Sequence, residues 1–166
     1  MKNLLLFVVF SFFTLNSAFA QVPKAMPSDA NEFYNKSMPL LRPQVKNIVL
    51  QIAATLKNRS INTDSLSAAL QKNSQLKDMS KNDIDGIAVL IMVQASIDAD
   101  ADLKKMVLAI GRGNDQKNAP SKGNSNEAQN MKLQTIMDHK SDLAEGVTYV
   151  MKKISGTQED IINNLK

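Results

Sequence analysis

SKNDIDGIAVLIMVQASIDADADLKKMVLAIG, residues 80–111, decides the fold. Ser80 and, three residues on, Asp83 have the spacing of a reciprocal helix cap, and Met79 and Ile84 bracket that cap as a hydrophobic staple. Residues 87–93 are then all apolar, and Ile97, Val107 and Leu108 follow. At helical spacing these positions spread around the whole circumference, and a helix that is apolar all round expects burial all round. The spacing predicts a central helix from Ser80 to Ile110, with Gly111 available as its left-handed stop.

The flanks supply the elements that could bury it. From Gln44, the residues Val45, Ile48, Val49, Ile52, Ala53 and Leu56 fall on one helical face, predicting a second long helix. Before it, Asp29 and Glu32 suit a capping box for a helix through Phe33 and Tyr34. Pro39 and Pro43 interrupt that helix, because proline lacks an amide proton and clashes with the preceding turn. Asn62 caps a short helix with Leu66, Ala69 and Leu70 inside and Ile61 with Leu66 as a staple.

Downstream, residues 111–126 are rich in Gly, Asn, Ser and Lys with one Pro, which predicts a mobile loop. Asn124 with Glu127 then caps a third long helix carrying Ala128, Met131, Ile136, Leu143, Val147, Val150, Met151 and Ile154, weakened locally by Gly146. Ser155 and Gly156 end it, and Thr157 with Asp160 starts a short helix with Ile161, Ile162 and Leu165. No useful β-alternation occurs. The expectation is an all-α chain, an antiparallel helical bundle of three long and two short helices.

Residues 1–20 read as a cleaved signal peptide. Lys2 precedes an apolar run over 4–13 broken only by Ser11, and the small residues Ala18 and Ala20 flank Phe19, so cleavage is expected before Gln21. The run is about half the ~20 residues needed to cross a bilayer, which predicts no stable membrane span after cleavage. The expected organisation is signal peptide 1–20, flexible leader 21–28 and one helical domain 29–166, exported to the periplasm or medium of a bacterium. Removal of the signal leaves 146 residues, enough to bury about 68–70% of the surface an unfolded chain of that size exposes. The chain has no Cys, and past Ala20 its only aromatics are Phe33, Tyr34 and Tyr149, so packing of aliphatic and methionine side chains must carry stability.

Charge excludes some partners. Past residue 20 there are 19 Lys or Arg against 16 acids, a net +3. Residues 23–77 hold eight bases against three acids, and 78–110 hold three against six, which suits one helix complementing another. Without a basic stripe interleaved with aromatics, nucleic-acid binding is not expected.

Catalytic and metal-binding patterns fail on inspection. Asp98, Asp100 and Asp102 begin like a calcium loop, but Leu103 stands where a Gly is needed and Ala109 where a closing Glu is needed. Asp100 with Lys104 and Asp102 with Lys105 are ordinary helical surface pairs. Even so, Asp98 and Asp102 project near the face of Ile91, Ala95, Met106 and Ala109, so either the helix bends or the carboxylates meet a partner; Arg42, Arg59, Arg112 and His139 are the candidates. His139, the only histidine, lacks the companions a zinc site requires. No Gly-x-Ser-x-Gly elbow occurs, and the glycines of 111–113 lack the Lys of a phosphate loop.

The expected function is therefore a non-enzymatic exported interaction module that needs no cofactor or metal. Its partner would be another protein or a second copy, with Val89, Val93 and Val107 as a possible partner face and Asp98, Asp102 and His139 as a secondary polar cluster. The alternative is a carrier of a small apolar ligand held within the helix bundle.

Overall fold

A computed structural model describes residues 23–60, 62–114 and 123–166. The expected cleavage site at Ala18, Ala20 and Gln21, and the staple residue Ile61, lie outside the described residues. Those residues form an all-α bundle, with no strand among them: α1 (Ser28–Ser37), α2 (Pro43–Leu56), α3 (Thr63–Gln71), a 3₁₀ turn at Ser74–Leu76, α4 (Lys81–Asn114), α5 (Gly123–Ile154) and α6 (Gln158–Leu165).

Local chemistry explains most boundaries. The Ser80 and Asp83 box closes as expected: the Ser80 amide donates to Asp83 Oδ2 at 3.0 Å and the Asp83 amide to Ser80 Oγ at 3.2 Å. Asn62 caps α3 by accepting from the Ser65 amide at 2.9 Å. α1 ends at Ser37, ahead of Pro39 and Pro43 as expected, and Pro43 itself occupies the first turn of α2, where its missing amide proton has no intrahelical role. The Asp29 box does not form; α1 starts at Ser28, and Asp29 Oδ1 accepts from the next amide, that of Ala30, at 3.0 Å. Thr157 stands at the N-cap of α6 without a side-chain cap, since its hydroxyl donates back to the Ile154 carbonyl at 3.0 Å. Gly156 before it takes the left-handed conformation at φ 87°, which ends α5.

Two expectations along the chain are corrected. Gly111 does not stop α4, which continues in helical backbone to Asn114, while α5 begins at Gly123 ahead of the expected cap at Asn124; the join narrows to 115–122, outside the described residues. The described part of the leader is attached to the bundle. The Lys24 amide donates to Ser141 Oγ at 3.1 Å, its Nζ lies 3.6 Å from Glu145, and Met26 packs on the core.

α4 packs against all five other helices. Every residue of 87–93 is buried on all sides, each larger aliphatic side chain contributing about 1.5–3 kcal/mol relative to exposure. α2 and α5 cover two sides, and the short α1, α3 and α6 close the rest. α6 approaches α4 at Gly86, where a Cβ would lie 2.6 Å from Ile161 Cγ2. Val89 and Val93 belong to this core, which corrects their expected place on a partner face; of the three, only Val107 is exposed.

Candidate functional site

Burial along the α4–α5 pair is uneven. Leu133, Ile136, Lys140, Leu143, Val147, Val150 and Ile154 repeat at alternating spacings of three and four along the inward side of α5, and Met92, Ala95, Ala99, Asp102 and Met106 do so on α4. That is the spacing of an antiparallel two-helix seam. Toward 154 and 88 the seam is closed and apolar; from Asp102 and Lys140 onward it turns polar and opens. Among the residues whose burial is described, Ala99 and Ile136 are the last buried apolar ones on α4 and α5 in that direction. Past them α4 and α5 form an arm that carries Val107 (55% exposed), Leu108 (52%) and Met131 (66%), with Ile97 (45%) on α4 nearer the body.

The two carboxylates flagged in the sequence find different partners at the root of this arm. Asp102 accepts from Lys57 Nζ at 2.7 Å, the first residue past α2, and lies 3.7 Å from Lys105. The Lys57 hydrogen bond is the largest influence holding the Asp102 carboxyl below the usual range; partial burial opposes it, and the charges of Lys57 and Lys105 add to it. The same bond raises Lys57 above the ordinary lysine value. Asp98 accepts from Gln94 Nε2 at 2.9 Å, and Gln94 Oε1 accepts from the Tyr34 hydroxyl, tying α1 to α4. Burial, and after it the Asp98 charge, pushes the Tyr34 phenol up. Asp100 pairs across the hairpin with Lys140 instead of with Lys104.

Lys57 was missed among the sequence candidates because it follows the last apolar residue of its helix, where nothing in the pattern says which way it points. Lys140 was legible in principle, as a base inside an apolar register. Asp85, buried at the start of α4 and accepting from Ser67 Oγ at 3.0 Å, left no such signal.

Asp102 and His139 line one cleft of about 580 Å3, where the end of α2 meets the opening seam. Asn58 contributes from the turn after α2, Lys105 and Met106 from α4, and Lys132, Thr135 and Ile136 from α5. Asp98 is not in its lining, so the expected polar cluster is brought together only in part. His139 Nδ1 is buried without a hydrogen-bond partner among the described residues. No group of three His, Cys, Asp or Glu placed to hold a metal occurs among those residues, and no described helix is long and apolar enough to cross a membrane. No family model matches the chain, and no similar curated protein or solved structure was found.

Proposed function

We propose that this protein is an exported, non-enzymatic interaction module whose α4–α5 arm docks a protein partner. One observation carries the reading: Val107, Leu108 and Met131 are more than half exposed on an arm whose helices continue past the point where the core ends. Apolar side chains left outside a completed core are a docking surface or a liability. Charge favours an acidic partner face, because residues 103–137 hold six Lys or Arg against two acids, a net +4, while the remainder past residue 20 is close to neutral.

A photo-crosslinking residue at Leu108, with one at the exposed Leu50 of α2 as control, tests this in the native host. A discrete adduct at 108 that is absent at 50, and lost on Val107→Asp, is the expected result. Equal labelling at both positions, or none at 108, would refute the docking role of the arm. An adduct of twice the chain mass would identify a second copy as the partner. The carrier alternative draws on the cleft beside the arm, but that cleft is open and partly charged, unlike an apolar chamber within a bundle.

A further inference from the structure

We propose that the cleft at the root of the arm binds a small anionic amphiphile, its carboxylate held near Lys105 and Lys132 and its apolar chain laid against Met106 and Ile136. This is a site separate from the arm surface that docks a protein. Its volume, about 580 Å3, falls in the range of small-molecule sites, and α4, α5 and the turn after α2 contribute to its walls.

The lining sorts into two chemistries. Met106 and Ile136 carry the apolar register of α4 and α5 past Asp102 and Lys140 into the part of the seam that opens, so a flexible chain lying there would extend the core by the same burial that closes it further in. Around them stand two ammonium groups, Lys132 and Lys105, the latter 3.7 Å from Asp102, with the Asn58 amide as a neutral donor; the Thr135 hydroxyl already donates to the Met131 carbonyl at 2.9 Å. The one carboxylate, Asp102, does not repel an anion as a bare charge would, because Lys57 reaches it at 2.7 Å from outside the lining. The lining holds two lysines against this one carboxylate, a net +1. The His139 ring forms part of this wall, its Nδ1 buried without a hydrogen-bond partner among the described residues.

Neutral apolar ligands suit the cleft less well, because they would strip water from both lysines and return nothing to them. Simple inorganic anions would leave Met106 and Ile136 uncovered. An amphiphile with one negative end satisfies both halves.

Dodecanoate below its micellar concentration is the probe, titrated calorimetrically into the untagged protein lacking residues 1–20, with dodecanol and acetate in parallel. Because His139 is the only histidine, its ring proton resonances report whether the ligand enters this cleft. The expected result is saturable dodecanoate binding that moves the His139 signals. Lys105→Met with Lys132→Met should weaken it about ten-fold, the sum of two exposed ion pairs, while leaving the helical circular dichroism unchanged. Equal affinity for dodecanol would overturn the proposal, as would acetate binding as tightly as dodecanoate. Absence of saturation, or binding that leaves His139 unmoved, would overturn it as well. None of these outcomes depends on the arm capturing a protein, so the two readings stand or fall separately.

Discussion

Replacing Gly86 by Ala tests the packing that makes α4 central. In most helices this change stabilises, because glycine surrenders more backbone freedom than alanine and the swap is worth about 1 kcal/mol. Here the new methyl would lie 2.6 Å from Ile161 Cγ2, with Phe33 Cζ at 3.5 Å and Ile161 Cδ1 at 3.7 Å beyond it. Cγ2 sits on the β-carbon of a β-branched residue whose χ1 is stiff, so it cannot swing aside like the end of a long side chain. α6 has to shift, and overpacking of this kind costs about 1–3 kcal/mol. The two effects leave a net loss of about 1 kcal/mol, a fall in midpoint of about 3 °C for a chain of this size.

The double-mutant cycle with Ile161→Ala isolates the clash. Once Cγ2 is removed, a methyl at position 86 has room, and Gly86→Ala should become stabilising by up to about 1 kcal/mol. Urea denaturation of the four proteins, followed by far-ultraviolet circular dichroism, gives the coupling. Additivity within about 0.5 kcal/mol would show that α6 does not cross α4 at Gly86, and the account of how a short helix completes the burial of 87–93 would fail with it.

Two further predictions concern the same helix. Val93→Asp places a carboxylate at a position buried within the chain and should destabilise by more than about 3 kcal/mol, seen as loss of the cooperative melt; a folded, merely dissociated protein would return Val93 to a partner face. Asp102→Asn should cost less than about 1 kcal/mol at neutral pH, since the Lys57 pair is partly exposed and screened by salt. The carboxyl is depressed in the folded state, so its contribution is present above the ordinary value of 3.8 and is lost as pH falls through the lower folded value. Lys57 is raised, so its contribution is complete below 10.5 and is lost as pH climbs through the higher folded value. Denaturation midpoints across pH should therefore show wild type and variant converging at both extremes, and a constant gap would refute the pairing.

The bundle was legible because its signals are local and repetitive. Residues 87–93 announce a buried helix by being apolar in every direction, and Ser80 with Asp83, or Asn62, mark helix starts by chemistry confined to one turn. Gly111 misled for the reverse reason. A glycine can end a helix but does not require it, and α4 continues through it to Asn114. Which faces of α4 the short helices cover was not legible, because Val89 and Val93 are apolar whether they meet α1, α3 and α6 or a second chain. The cleft was legible only in part. Helical projection placed Asp102 on an inward face, and that face is indeed half-buried, but its partner Lys57 lies 45 positions away, just past the end of α2, and sequence carries no measure of that approach.

The molecule divides at Ala99 and Ile136, and the division bears on what the arm is for. If α4 and α5 served only to close the core, the chain could turn soon after Ala99, the last fully buried apolar residue of α4 among the described side chains. α4 continues for 15 more residues, to Asn114, about 22 Å of helix supported chiefly by one neighbour. Its seam there holds Asp102 and Met106 in place of the tight alanines at 95 and 99, so packing contributes less per turn than it does in the body. A helix of this length adds little to folding, yet it keeps Val107 and Leu108 in water, where each forgoes the stabilisation that burial would supply. Folding stability gives no reason to retain such side chains at such positions, whereas recognition does: the same apolar surface that contributes nothing to the isolated bundle becomes favourable once a partner covers it.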